Sequence, residues 1–323
     1  MKNTLMRNVL RSAAFLLLLA LLLQGTARLL QPRNNTQEAG MELQRLRGIL
    51  AEPEDSIDVL FFGDSEAYSG YSPLEMWNTR GFTSYICAIS KCSLDDVYAF
   101  LLETTVHQHP KLVIVEALPT IRKMSADDTL FTEATILFPL FSIHNSWKMM
   151  TPERFFSPVE YTYRSVNRGY RPDKTTVPMK LSDYMKPKGK TMEIDLMNRI
   201  YLDRIVRYCN AHDMTLLFVS CPSPDNWNYA RHEALQAYAD SVGVSFLDLN
   251  LAVAEIGLDG QTDFRDENGD HLSHYGATKT SIYLATVLDE TYDLPDHRED
   301  PDYENWNASL AQYRQNHPTT PAS

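Results

Sequence analysis

Two short segments carry residue types that together perform nucleophilic catalysis. Gly63-Asp64-Ser65 follows an apolar run, so Ser65 is expected at a strand-to-helix turn, where free backbone N–H groups can stabilise an oxyanion. A helix N-cap serine is the alternative interpretation. The second segment, Asp266 to Ser273, contains His271 beside carboxylates. A serine nucleophile needs a histidine base and a carboxylate that orients the base, so the two segments together predict a Ser-His-Asp triad.

Two carboxylates compete for the place beside His271. Asp266 and Asp270 lie on either side of Asn268. Adjacent side chains of an extended backbone point in opposite directions, so Asp270 would need a sharp bend to reach its neighbour. We therefore favour Asp266. A tight bend at Gly269, which the absence of a Cβ permits, would move the role to Asp270.

Strands and helices alternate through most of the chain after residue 56, and this alternation positions the two segments. Short apolar runs predict strands, and runs with apolar residues on one face predict helices. We expect strands at 57–62, 83–88, 112–116, 215–219 and 245–249, and helices after 93, over 191–211, over 229–242 and after 273. The alternation predicts a parallel sheet covered by helices on both faces. Ligands of such sheets bind at the carboxyl ends of the strands, where Ser65 falls.

The N-terminus predicts a membrane segment. Lys2, Arg7 and Arg11 precede residues 13–23, which have no polar side chain, and apolar residues resume at 29–30. The run matches a signal-peptide core with a small-residue cleavage site near Ala27. Residues 12–30 also approach the ~20 residues that a bilayer requires. We expect an uncleaved signal anchor with its positive end inside, and secretion after cleavage near Ala27 is the alternative. Either way, the body of the protein lies outside the cytoplasmic membrane.

The chain is expected to have four parts. Residues 1–30 form the anchor, 31–55 a polar stalk, and 56–290 an α/β domain that contains an insertion at about 120–190. Residues 291–323 are polar and are expected to attach loosely.

Composition excludes several functional classes. The 323 residues include 30 Lys and Arg against 42 Asp and Glu, a formal charge of −12, which argues against a nucleic-acid-binding protein because such proteins need a basic face. Hydrophobic residues make up 44%, enough for a core and too many for a disordered chain. The four cysteines are too scattered for a disulfide framework or a zinc ribbon, so we expect buried, unpaired thiols.

The residues Phe61-Phe62-Gly63-Asp64-Ser65 and Asp270-His271-Leu272-Ser273-His274-Tyr275-Gly276-Ala277 resemble the SGNH/GDSL family of serine hydrolases. The resemblance covers about residues 56–290. It is closest to a branch of membrane-anchored envelope proteins that includes the D-alanyl-teichoic-acid transfer protein and the alginate acetylation proteins. It implies a flavodoxin-like three-layer sandwich with a central parallel sheet, Ser65 as nucleophile, His271 as base and no cofactor.

The chain departs from the family pattern at three places. Asn268 stands where the family has its Asp, and Glu116-Ala117 stands where the family has an Asn after the third strand. The family glycine after the second strand is also missing. The backbone N–H groups of Ser65 and of Ser90 or Lys91 are therefore the oxyanion candidates, and an ionised Glu116 would disfavour an oxyanion. These losses leave room for weak or absent catalysis.

Five residues are candidates for lining a substrate pocket: Asp64, Glu116, His144, Trp147 and Trp227. His144 and Trp147 resemble a His/Trp segment of some envelope relatives, with a packed aromatic helix as the alternative. Core packing explains Trp227 equally well. His271 and His274 with Asp270 have loose spacing for zinc, and we expect no metal ion.

Two functions follow from these features. The first is an extracytoplasmic, membrane-tethered serine esterase or O-acyltransferase that acts on an envelope polysaccharide or a teichoic-acid-like acceptor. The second is a catalytically weak or inactive partner of a membrane-bound acyltransferase or a wall-assembly complex. The resemblance implies both, and the missing family residues favour the second.

Overall fold

A computed structural model describes residues 2–149, 151, 152, 155, 157–189 and 191–317, except for the side chains at 2, 3, 144 and 145. Contacts divide the chain into two compact units. The first contains Met1–Arg47 and Ser125–Tyr163, and the second contains Gly48–Met124 and Arg164–Ser323. The expected insertion at about 120–190 is therefore split, and so is the expected stalk at 31–55. We call the two units the anchor unit and the sheet unit.

The sheet unit is built on five parallel strands, which are β1 (Val59–Gly63), β2 (Ser84–Ala88), β3 (Leu112–Glu116), β4 (Thr215–Ser220) and β5 (Ser245–Asp248). Their order is β2-β1-β3-β4-β5, the order of flavodoxin-like sheets. All residues of β1, β2 and β3 are buried, which explains why they are continuous apolar runs in the sequence. The predicted fold class is confirmed.

Helices cover both faces of this sheet. In chain order the helices of both units are α1 (Lys2–Leu30), α2 (Gln44–Arg47), α3 (Ser65–Gly70), α4 (Pro73–Arg80), α5 (Leu94–Thr104), α6 (Leu118–Ile121), α7 (Ala126–Leu137), α8 (Leu140–Ile143), α9 (Leu196–Ala211), α10 (Tyr229–Val242), α11 (Val253–Ile256), α12 (His274–Tyr292) and α13 (Glu304–Asn316). Parallel crossovers are right-handed. The chain crosses the sheet in one direction from β1 to β2, and in the other direction from β2 to β3 and on to β4. Therefore α3 and α4 lie on the face opposite α5 and α9.

Helix α13 corrects the expectation of a loosely attached tail. Trp306 and Tyr313 of this helix are each 1% exposed, and the Trp306 ring lies 5.3 Å from that of Trp77 in α4. The Arg168 guanidinium lies over the Trp306 ring at 4.6 Å. Two aromatic residues seven positions apart form one buried stripe on a helix that is otherwise polar, and this stripe holds the segment against the sheet unit.

In the anchor unit, α1 is long and apolar enough to cross a membrane, from Thr4 to Leu30. Its apolar side chains are largely exposed, with Leu10, Phe15 and Leu17 each above 60%. Length and composition of this kind fit a signal anchor and a signal sequence equally.

Candidate active site

Ser65 is the first residue of α3, at the point where β1 ends. Asp64 caps this helix, and its Oδ1 accepts the Glu66 N–H at 3.0 Å. A Cβ at Gly63 would lie 2.5 Å from the Cβ of Glu116 at the end of β3, so only glycine fits there. Ser65 is half-buried. It lies at the switch point between β1 and β3, where flavodoxin-like sheets bind their ligands.

His271 and Asp270 form the closest acid–base pair of the site. Nδ1 of His271 lies 2.6 Å from Oδ2 of Asp270. The hydrogen bond from His271 is the main reason why the pKa of Asp270 lies below its usual value. Nε2 of His271 is buried and makes no hydrogen bond with any described residue, Ser65 included. In enzymes without substrate, catalytic hydrogen bonds are often long and tighten only in the complex.

The preference for Asp266 as the acid partner is wrong for this geometry. The Asp266 carboxylate accepts the backbone N–H groups of Asn268 at 3.1 Å, Asp270 at 2.9 Å and His271 at 3.2 Å. It therefore organises the loop that carries the pair. Gly269 has φ +76°, and the bend it makes brings two consecutive side chains together instead of apart.

Glu66 connects the serine turn to the acid–base pair. Ligand-type atoms of Glu66, Asp270 and His271 all lie within 4.8 Å of one another, so the histidine ring is close to the residue that follows Ser65. Glu66 is 1% exposed, and its Oε1 accepts hydrogen bonds from Ser223 Oγ and Asn226 Nδ2, each at 2.9 Å. These three groups could also hold a cation, although Asp270 Oδ2 is already bound to the histidine.

Asn226 completes this network from the loop after β4. Its Nδ2 donates to Glu66 Oε1 and to Asp270 Oδ1, so both oxygens of Asp270 have partners. Ser223 Oγ lies 2.8 Å from the backbone carbonyl of Asp270. Sequence reasoning missed both residues. Their only sequence signal is that they follow a parallel strand at its carboxyl end.

A buried carboxylate cluster lies beneath the turn. Asp64, Glu66 and Glu116 are 0%, 1% and 2% exposed. Burial is the main cause that raises the pKa of each, and for Glu66 and Glu116 the nearby Asp64 carboxylate raises it further. Asp64 alone has a close cationic partner, Arg122, at 2.5 Å. Arg122 therefore favours the charged form of Asp64, whereas burial and the nearby Asp64 carboxylate disfavour the charged form of Glu116, which weakens the expected repulsion of an oxyanion.

Arg122 is a third residue that sequence reasoning missed. It follows α6, and besides Asp64 its guanidinium donates to the Cys92 carbonyl at 2.8 Å. Its side chain is 29% exposed, so the arginine is only partly covered. The sequence signal that could have found Arg122 is its position after β3, because the end of this strand lies at the same edge of the sheet as Ser65.

The oxyanion candidates Ser90 and Lys91 follow β2 at the same edge of the sheet, because Ala88 pairs with Gly63. Lys91 has φ +57°, a left-handed conformation that costs a non-glycine residue energy and that clusters at functional sites. Ser90 Oγ lies 2.7 Å from the Tyr68 hydroxyl. Both candidates therefore lie on the expected loop after β2.

Three further pocket candidates from the sequence are Trp227, Trp147 and His144. Trp227 is 2% exposed and its indole N–H donates to Asp248 at 2.9 Å, so it is a core residue and not a pocket wall. Trp147 belongs to the anchor unit, where it is 58% exposed. The side chain of His144 lies outside the described residues. His274 is fully buried and its Nδ1 lies 3.2 Å from the Tyr170 hydroxyl.

Comparison with known proteins finds only distant likeness. No protein-family model matches the chain, and no curated protein matches it. Among solved structures it is similar to a lipase/acylhydrolase from Enterococcus faecalis, with 11% identity, 74% of this chain and 98% of that chain covered, and a TM-score of 0.41. It is also similar to TesA, with 13% identity, 72% and 98% covered, and a TM-score of 0.37. Scores this low say nothing about the chemistry of this chain.

Proposed function

We propose that the protein is a serine esterase or O-acyltransferase of the SGNH/GDSL type, tethered to the cytoplasmic membrane and acting outside it on acyl groups of an envelope glycan. The observation that carries the proposal is the His271–Asp270 pair beside Glu66, the residue next to Ser65. The apolar α1 supports the tether. The sequence resemblance to envelope acylation proteins supports the glycan.

In this mechanism Ser65 Oγ attacks the ester carbonyl and its proton passes to Nε2 of His271. Asp270 accepts the Nδ1–H, which fixes the tautomer and stabilises the imidazolium that forms. Backbone N–H groups of Ser65 and of Ser90 or Lys91 receive the oxyanion. The imidazolium then protonates the leaving alcohol, and an acyl-serine remains. Water or a glycan hydroxyl, deprotonated by His271, then attacks the acyl-serine and releases Ser65. Hydrolysis and transfer therefore use the same groups of the site.

Labelling of the full-length protein with a fluorophosphonate probe tests the nucleophile. We expect label on the wild type, none on Ser65→Ala and strongly slowed labelling on His271→Gln. Ser56→Ala, a serine before β1 at the opposite end of the strand, is the matched control and keeps the label. A folded wild-type protein that takes no label contradicts the proposal.

The second candidate is a non-catalytic partner of an envelope acyltransferase. The buried Glu116, which lies where the family has its Asn, favours this role because it supplies no side-chain N–H to an oxyanion. Replacement of the chromosomal copy discriminates the two. Envelope acylation that survives Ser65→Ala but is lost on deletion of the protein supports the partner role, and loss in both supports the enzyme.

A further inference from the structure

The anchor unit contains an apolar surface next to α1 that the proposed function does not use. Residues Leu130, Phe131, Leu137 and Trp147 are 71%, 56%, 63% and 58% exposed. Three of them lie on α7, where 130, 131 and 137 share one side of the helix and the buried Thr129 lies on the other. Soluble proteins rarely expose so many large apolar side chains together.

The segment that carries this surface packs against the outer third of α1. Beyond residue 18, the described side chains of α1 that are at least partly covered form one stripe, at positions 20, 23, 27 and 30. Helix α8 and the 3-10 helix His144–Met149 contact α1. The Gln24 amide donates to the Leu137 carbonyl at 2.8 Å. Ser146 Oγ lies 2.5 Å from the carbonyl of Leu30, which is one of the carbonyls that a helix end leaves unpaired.

These contacts set the depth of the segment relative to α1. Gln24 precedes the end of α1 by six residues, which corresponds to about 9 Å at ~1.5 Å per residue. A helix that spans Thr4–Leu30 is about 40 Å long, close to a bilayer with its headgroup regions. The Leu137 carbonyl therefore lies at the level of the outer headgroups and upper acyl chains when α1 spans the membrane.

We propose that residues 126–149 form a second membrane-contacting element, which lies in the outer leaflet beside the anchor with Leu130, Phe131, Leu137 and Trp147 in contact with lipid. This proposal rests on the membrane tether of the proposed function. Its occupant is the lipid bilayer, because the segment that carries the apolar surface packs against α1, whose own apolar side chains are exposed. Trp147 with the adjacent Lys148 is the residue pairing that membrane interfaces favour, and the Gln24 amide is satisfied within the unit, as the hydrocarbon requires.

Tryptophan fluorescence provides a direct test, because the other three tryptophans, Trp77, Trp227 and Trp306, are at most 2% exposed. The full-length protein is reconstituted in phosphatidylcholine/phosphatidylglycerol vesicles with or without brominated phosphatidylcholine. The emission of Trp147 is the difference in emission between the wild type and Trp147→Phe. We expect brominated lipid to quench most of this difference and aqueous iodide to quench little of it. Quenching by iodide and not by brominated lipid, in protein that floats with the vesicles, overturns the proposal but leaves the anchor intact. Protein that does not float with vesicles overturns both.

Thiol labelling gives an independent readout. All four native cysteines are buried, so an environment-sensitive fluorophore attaches selectively to Leu130→Cys. The matched control is Val106→Cys, at an apolar residue of the sheet unit that is 64% exposed. We expect the Leu130 probe to shift its emission to the blue when detergent is replaced by vesicles and the Val106 probe to remain unchanged. Equal behaviour of the two probes contradicts the proposal.

Discussion

Oδ2 of Asp270 lies 2.6 Å from Nδ1 of His271, although the two residues are consecutive in the chain. Two features bend the loop so that this contact forms. Gly269 has a left-handed backbone conformation, and the Asp266 carboxylate accepts hydrogen bonds from three backbone N–H groups. The acid that orients the base and the acid that shapes the loop are thus two different residues, and substitution separates their roles.

We expect Asp270→Asn to reduce turnover by on the order of 10⁴, because a histidine without its carboxylate takes the wrong tautomer in the best-studied triad. Asp266→Asn retains an oxygen acceptor for the loop and should lose far less. The measurement is kcat/KM for a soluble aryl ester, with far-UV circular dichroism as the folding control. If Asp266→Asn is the more damaging variant, the acid of the triad is Asp266.

Asn226 is expected to tune Asp270 without touching the substrate. Its hydrogen bond helps to hold the pKa of Asp270 below the usual value, so Asn226→Ala should raise that pKa. The carboxyl resonance of Asp270, followed by carbon-13 NMR through acid pH, should then titrate at higher pH in the variant. Asn228→Ala, which removes the cap of α10, is the matched control and leaves this titration in place. Equal titrations of Asp270 in wild type and Asn226→Ala would refute the positioning role.

The raised pKa of Glu66 predicts a specific dependence of the free energy of unfolding on pH. Burial raises its pKa well above the usual value of 4.5, so the folded protein binds more protons than the unfolded chain between the two pKa values. The free energy of unfolding therefore falls as pH rises through that window. Glu66→Gln mimics the neutral acid and should flatten this fall. The measurement is urea unfolding in detergent between pH 5 and about 8. Parallel curves for wild type and variant would show that Glu66 is ionised in the folded protein.

Helix α13 should contribute substantially to the stability of the sheet unit. Trp306→Ala removes a buried indole between Trp77 and Arg168, and loss of a buried Trp costs about 3–5 kcal/mol. Gln312→Ala, at an exposed residue of the same helix, should change the free energy of unfolding by less than about 0.5 kcal/mol. Urea unfolding of both variants checks this. A loosely attached helix would give the two variants equal stability.

The sequence predicts the sheet well because its strands are buried on both faces. The strand at 112–116 coincides with β3, and α12 begins after Ser273 as expected. The Ser273 hydroxyl accepts the backbone N–H groups of Tyr275 and Gly276 and so caps this helix. The four cysteines are free and buried, as predicted. Such features depend on local patterns, namely apolar runs between turns and short polar residues before helices.

The partners within the site were not predictable in the same way. Asn226 and Arg122 come from loops after β4 and β3, and only the parallel pairing of these strands brings them to the serine turn. The choice between Asp266 and Asp270 depended on the φ of one glycine, which the sequence permits but does not specify. Helix α13 was missed because its two buried aromatic residues lie in a polar segment.

The hydrogen bond between Gln24 and Leu137 joins residues 113 positions apart, and this separation has a consequence for biosynthesis. At ~5–20 residues per second, synthesis of the intervening chain takes on the order of ten seconds. In the proposed membrane-tethered protein, α1 enters the membrane during this interval with the Gln24 amide unpaired and its covered stripe open to lipid. The anchor unit of the tethered protein would therefore complete its folding only after the membrane insertion of its first helix, and a nascent chain that stops before residue 137 would expose a polar amide to the bilayer.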